Sequence, residues 1–253
     1  MKIGLTLSGG GSRGFAHLGV LKALEEFGIK PDHISGSSAG ALVGALYCSG
    51  LEPEDIGKII KKKGISGGIK LAFNKLGLFS IEKVEKILME FIPLNTFESL
   101  KTSLTICTTD IQNGEAVYFN SGELSKPVLA SCAIPGIFSP VIIDNKTLVD
   151  GGVINNLPIE PIENLVDFKI GVNLMPDEKN MPVATAKDIL MKCLILTLGK
   201  QAEQKYPKFD ILIEPEKISS FDGLSLKKSE EMFELGYMAA KNAIKKSGLN
   251  NGF

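Results

Sequence analysis

The sequence predicts an α/β protein, with helices layered on a mostly parallel sheet that one hairpin makes mixed. Three observations carry this. Short apolar and β-branched runs alternate with stretches of helical spacing, the pattern of βα units. Asn113-Gly114 lies between two such runs, as the turn of an antiparallel hairpin does. The 253 residues suit a single domain, and 44% hydrophobic with 23% charged residues is an ordinary globular balance.

The elements follow in chain order. Lys2 to Ser8 reads as a strand, Gly9-Gly10-Gly11-Ser12-Arg13-Gly14 as a tight turn. An amphipathic helix follows, with Phe15, Leu18, Leu21 and Leu24 at helical spacing and Gly28 ending it. His33 to Ser35 is a second strand. Ala39 to Cys48 is a small-residue helix that should sit buried, and Leu51-Glu52-Pro53 opens another, with proline in its first turn. Ser80 suits the N-cap of a helix through Phe91. Ser103 to Thr109 and Glu115 to Phe119 form the hairpin. A helix from Lys126 to Ala133 ends before Pro135. Val141 to Ile143 and Thr147 to Val149 flank a turn at Asn145. Phe168 to Leu174 and Asp210 to Ile213 are later strands, with a helix from about Thr185 to Gln204 between them. The last helix runs from about Ser225 to Lys246, with Met232, Leu235, Ala239, Ala243 and Ile244 on one face.

Composition excludes several function classes. A net charge of -1 gives no field for nucleic acid. Cys48, Cys107, Cys132 and Cys193 are far apart, which argues for free thiols in a reducing compartment rather than a disulfide framework or a zinc site. The N-terminus enters a strand at once, without a signal-peptide core. Apolar runs such as Cys193 to Leu198 are far too short to span a bilayer. A cytoplasmic protein is expected, with peripheral membrane contact left open. Gly57 to Ile81 is the candidate for that contact, since it holds six lysines, no acids and interspersed apolar residues. A solvated loop with a few core anchors is the competing reading.

Gly36-Ser37-Ser38-Ala39-Gly40 matches G-x-S-x-G between a strand and a helix. As a nucleophile elbow it would raise the Ser38 hydroxyl at a helix N-terminus, with Gly36 and Gly40 letting strand and helix close up. A plain small-residue turn opening a buried helix is the alternative. Gly9, Gly11 and Gly14 match the dinucleotide fingerprint G-x-G-x-x-G, but no acid ends the next strand to hold a ribose. The other reading is an oxyanion loop, with backbone N–H groups turned inward and Arg13 fixing carbonyls. A serine nucleophile needs a base. Both histidines, His17 and His33, precede Ser38, so the Ser, acid, His order of α/β-hydrolases is excluded by inventory. A carboxylate is the economical base. Asp150 ends an apolar strand and precedes Gly151-Gly152; Asp110, Asp144 and Asp167 are its rivals. No His, Cys and acid cluster has metal-ligand spacing.

Taken together, Gly9 to Gly14, Gly36 to Gly40 and Asp150-Gly151-Gly152, in that order, resemble the patatin-like phospholipase family. Arg13 to Leu21 is similar to that family's first helix. Thr109-Asp110 with Gly114, Ala130 to Pro135 with Phe138 and Pro140, and Asn155-Asn156-Leu157-Pro158 extend the likeness, which covers roughly residues 3 to 175 and more loosely the last helix. The resemblance implies a three-layer α/β/α fold and a single acyl hydrolase domain over 1–253, with the helices of 185–247 packed on it. It implies metal-independent hydrolysis of lipid acyl esters without a cofactor. By the same likeness Ser38 is the nucleophile and Asp150 the base. Gly9, Gly10, Gly11, Arg13 and Gly14 form the oxyanion loop, with Gly36, Gly40, Gly151 and Gly152 supporting the motifs.

Overall fold

A computed structural model describes residues 1–63, 81–176, 183–223 and 225–249. Eight strands among them join one mixed sheet. They are β1 (Ile3–Leu7), β2 (His33–Ser37), β3 (Ser103–Asp110), β4 (Glu115–Phe119), β5 (Val141–Ile143), β6 (Lys146–Asp150), β7 (Phe168–Val172) and β8 (Ile211–Ile213). The order is β5-β6-β3-β2-β1-β7-β8, with β4 also paired to β3. β3, β2, β1, β7 and β8 run parallel. The hairpin at Asn113-Gly114 pairs β3 with β4 antiparallel, as its turn residues predict. Antiparallel pairing goes further than that hairpin, since β6 also runs against both β3 and β5.

The helices are α1 (Phe15–Glu26), α2 (Ala39–Cys48), α3 (Pro53–Lys63), α4 (Ile81–Phe91), α5 (Ser125–Ser131), α6 (Ala186–Glu203) and α7 (Ser229–Ser247). From β1 to β2 to β3 the chain steps one way along the sheet; from β7 to β8 it steps the other way. Right-handed crossovers therefore put α1 and α2 on one face and α6 on the opposite one, which gives the three layers. The direction reverses between β1 and β7. A crevice at the C-terminal ends of the strands is expected at such a reversal.

Two helices differ from their sequence pattern. α1 is not amphipathic in place: Phe15 through Leu21, Ala23 and Leu24 are all buried, because α7 covers the side that faces away from the sheet. A Cβ on Gly19 would strike the Phe233 carbonyl and one on Gly236 the Ala16 carbonyl, so the two helices touch backbone to backbone. That contact centres the buried face of α7 on Met232, Gly236, Ala240 and Ile244, with Ala239 and Ala243 packed partly buried beside it and Leu235 outside it. α7 also begins at Ser229, four residues later than the pattern suggests.

Of the lysine-rich stretch, Gly57 to Lys63 and Ile81 fall within the described residues; 64–80, with the Ser80 cap, lie outside them. In α3, Lys58 pairs with Asp55 at 2.7 Å, Lys61 with Glu230 at 2.8 Å and Lys63 with Glu90 at 2.5 Å.

Candidate active site

The turn after β2 builds one side of the site. Ser38 has φ 51 and ψ -119, a conformation that costs a non-glycine residue energy and holds only where the surroundings enforce it. Two close approaches enforce it. A Cβ on Gly36 would come within 2.5 Å of the Gly40 carbonyl, and one on Gly40 would run into the Leu7 carbonyl. The Ser38 carbonyl accepts from the Ala41 and Leu42 amides and so begins α2. Ser38 N–H donates to Ser131 Oγ at 2.9 Å, and Ser131 Oγ donates in turn to the Cys107 carbonyl at 2.6 Å. The elbow is thereby tied to β3.

Sheet register brings the acid to it. Ser37 pairs with Cys107 along one edge of β3, and Asp150 pairs with Thr108, one residue further along the same edge, while β4 takes the other edge. One strand thus spaces two residues 112 positions apart, and Ser38 Oγ donates to Asp150 Oδ2 at 2.6 Å. Asp150 Oδ1 accepts the Gly152 amide at 2.8 Å, so both carboxylate oxygens are bonded. Ser38 and Asp150 are only 7% and 6% exposed. Burial pushes the Asp150 carboxyl up to about 6, against the opposing pull of its Ser38 and Gly152 hydrogen bonds. Around neutral pH it is then mostly ionised, and a better proton acceptor than an ordinary carboxylate. Behind this turn, Asn155 Nδ2 donates to Tyr118 Oη at 2.9 Å and to Glu160 Oε2 at 2.7 Å. Lys205, just past α6, bonds Asn155 Oδ1 and pairs with Glu160 at 2.7 Å.

The glycine loop builds the other side. Gly9 N–H is already used, donating to the Asn156 carbonyl at 3.2 Å and to Asn156 Oδ1 at 3.1 Å. Gly14 serves packing, since a Cβ there would lie 3.0 Å from Ala39 Cβ. Arg13 does not point its charge at an oxyanion. It is buried, with Nε donating to the Phe221 carbonyl at 3.0 Å and a terminal nitrogen to Ser219 and Phe221 carbonyls at 3.2 and 2.8 Å. Ser12 N–H and Oγ bond the Gly223 and Asp222 carbonyls at 2.7 and 2.8 Å. Residues 219–223 thus strap the loop from outside. Among the described residues neither the Gly10 nor the Gly11 amide donates a hydrogen bond.

The histidines stand apart from this arrangement. His17 is fully buried, and its Nε2 lies 2.7 Å from the Ser8 carbonyl, which can only accept, so Nε2 carries the proton. Desolvation lowers its pKa to about 4. His33 pairs with Gly4 and Ser103 at the opposite end of β2 from Ser38. Of the rival acids, Asp110 binds Gln112 N and Asn113 within its own turn, and Asp167 accepts from Lys2 N. Sequence reading gave no role to Ser131, Asn156 or the 219–223 strap. Ser131 and Asn156 lie in segments that resemble the family, but the strap acts through main-chain carbonyls, which leave no mark in residue identity.

Residues 5–162 match the family model described as Patatin-like phospholipase. The chain belongs to the patatin-like phospholipase family. The three motif segments of the site all lie inside the matched residues, while the strap and Lys205 lie beyond them. An uncharacterized NTE family protein of Mycobacterium bovis is 33% identical over 180 residues, covering 70% of this chain and 50% of that protein. Lysophospholipase nte1 of Emericella nidulans is 32% identical over 184 residues, 69% of this chain but 12% of that protein. The chain thus spans half the length of the first relative and a small part of the second. Among solved structures, VipD from Legionella pneumophila shares the fold at a TM-score of 0.62 and 15% identity, over 97% of this chain and 67% of VipD. Among the described residues no helix is long and apolar enough to cross a membrane.

Proposed function

We propose that this patatin-like protein is a serine acyl hydrolase that cleaves fatty acyl esters of lipids, with Ser38 and Asp150 as its working pair. The observation that carries the reading is the 2.6 Å hydrogen bond from Ser38 Oγ to a buried carboxylate whose pKa is raised to about 6. Asp150 takes the hydroxyl proton as Ser38 Oγ attacks the ester carbonyl. The carbonyl oxygen becomes an oxyanion, received by the Gly10 and Gly11 amides and favoured by the N-terminus of α2. The ester C–O bond then breaks, and Asp150 returns the proton to the departing alcohol. Water attacks the acyl-enzyme with Asp150 again as base, which releases the fatty acid and restores Ser38. The family and the lysophospholipase relative support a lipid ester as substrate. We read residues 1–253 as one such domain, because α7 packs along α1 and the strap holds the glycine loop.

Transfer of the acyl group to an acceptor other than water uses the same pair and the same first half-reaction. Labelling with a fluorophosphonate, followed by a hydrolysis panel of acyl esters of increasing chain length, tests the reading. Adduct on Ser38 and turnover of long-chain esters are expected. A folded protein that takes no label would end it. A membrane surface is the natural source of such a substrate. In the described part of Gly57 to Ile81, three of the four lysines pair with acids, so peripheral contact there would rest on Lys62 and the residues beyond Lys63. Vesicle sedimentation with and without anionic lipid measures it.

A further inference from the structure

Asn156 carries a polar atom that the reaction scheme so far leaves idle. Its side chain is 3% exposed. Oδ1 accepts the Gly9 amide at 3.1 Å, which fixes the orientation of the carboxamide. Nδ2 is buried and has no hydrogen-bond partner. An amide donor closed off from water and left unpaired is costly, because its hydrogen bonds to water are lost without replacement. Folded proteins rarely keep one without a use.

Its position says what the use is. A Cβ placed on Gly9 would run into Asn156 Oδ1 and would lie 3.1 Å from Ser38 Cβ. A Cβ placed on Gly152 would lie 2.9 Å from both Asn156 Oδ1 and Asp150 Oδ1. The carboxamide is therefore wedged where the glycine loop, the elbow and the acid turn meet. The side chain is not needed merely to satisfy Gly9, because the Asn156 main-chain carbonyl accepts the same N–H at 3.2 Å. An acyl carbonyl that reaches Ser38, itself 7% exposed, must enter the same closed space. Away from water, a fixed N–H is worth more to a developing negative oxygen than it would be in solvent.

We propose that Asn156 is a further catalytic residue, whose Nδ2–H donates to the oxyanion of the tetrahedral adduct on Ser38 beside the Gly10 and Gly11 amides. The proposal rests on the acyl hydrolase reading and adds a third donor to it. That donor comes from the turn after Asp150 rather than from the glycine loop. It makes the acid turn bifunctional: Asp150 moves the proton while Asn156, six residues on, meets the charge that the proton's departure creates.

Two measurements test it. In the first, Asn156→Asp keeps an acceptor for Gly9 and removes the donor, and Asn156→Ala removes both while the main-chain carbonyl still holds Gly9. A structural role limited to holding Gly9 predicts near wild-type acylation for Asn156→Ala, because the main-chain carbonyl still accepts that N–H. A donor role predicts that both variants lose on the order of 10²-fold in acylation rate and kcat, with KM little changed. A second carboxyl beside Asp150 would raise the Asp150 pKa, so rates are compared on the alkaline plateau of each pH profile. The second measurement needs no variant. In protein labelled with ¹⁵N-asparagine, the Asn156 side-chain amide should move downfield when a fluorophosphonate forms its adduct on Ser38, as a new charge-assisted hydrogen bond requires. An adduct on Ser38 with an unmoved Asn156 amide, or wild-type acylation by Asn156→Ala or Asn156→Asp, overturns the proposal and leaves the hydrolase reading standing. Absence of any Ser38 adduct takes both down.

Discussion

The two sides of the site are finished to different degrees. On the elbow side the Ser38 amide, hydroxyl and carbonyl, the Ser131 hydroxyl and both Asp150 oxygens all have protein partners. On the loop side the Gly10 and Gly11 amides and Asn156 Nδ2 have none among the described residues. Gly10 is half-buried and Gly11 exposed, so water can serve them until substrate arrives. The difference separates two tasks. On the elbow side, where only the neighbouring Ser37 Oγ lacks a partner, the bonds made by Ser38 and Asp150 fix where the proposed nucleophile and base stand whether or not substrate is bound. An unsaturated network gains hydrogen bonds only when an oxygen bearing charge is delivered, which is when they lower a barrier.

The largest effect should come from breaking the finished side. Ser38→Ala removes one oxygen from a turn held by backbone contacts, so it should fold normally. It should lose all fluorophosphonate labelling, read by intact mass, and all ester turnover. Breaking the unfinished side should cost less and in a different parameter. Gly11 has φ 58, and a Cβ there would strike the Gly223 carbonyl, so Gly11→Ala displaces the loop. A loss on the order of 10²–10³ in kcat is expected with a smaller change in KM, and circular dichroism checks the fold. Gly10→Val, where Leu174 Cβ lies 3.1 Å from the new Cβ, should fall in the same range.

Loosening the support of the loop is milder still. Arg13→Met leaves the Ser219 and Phe221 carbonyls without their charged donor. Hydrogen bonds to charged groups contribute about 1.5–3 kcal/mol, so urea unfolding should show a loss on that order, with turnover reduced about tenfold. Arg13→Lys should recover only part of it, since an ammonium cannot span both carbonyls as the guanidinium does. The smallest effect belongs to His33→Gln, which sits at the far end of β2 and should leave turnover unchanged.

The finished side was also the more legible one. Gly36 to Gly40 packs the elbow into five consecutive residues, and α2 spans Ala39–Cys48 as its small-residue pattern indicates. Most of the sheet was readable because each strand is a short apolar run bounded by turn residues. What joins distant segments was not. The antiparallel course of β6, which takes over the edge of β3 where β2 ends and so sets Asp150 beside Ser38, depends on pairing that no local pattern encodes. Ser131 looks like any small residue near a helix end. The strap acts through the carbonyls of Ser219, Phe221, Asp222 and Gly223, which every residue type possesses.

The central claim is that a buried carboxylate, with no histidine, activates Ser38. Its most direct test is the pH dependence of Ser38 acylation by a neutral fluorophosphonate in wild type and in Asp150→Asn. Burial raises the Asp150 pKa, so the native state holds this proton more tightly than the unfolded chain. The carboxylate's contribution to stability therefore falls as pH rises from about 4 to about 6. Asp150→Asn should thus be no less stable than wild type at pH 7. Wild-type acylation should rise with pH through a single ionisation near pH 6, with the same profile in His33→Gln. Asp150→Asn should be flat across that range and on the order of 10⁴ slower, as when the base system of a serine hydrolase is disabled. A folded Asp150→Asn that keeps both the rate and the midpoint near pH 6 would contradict the account.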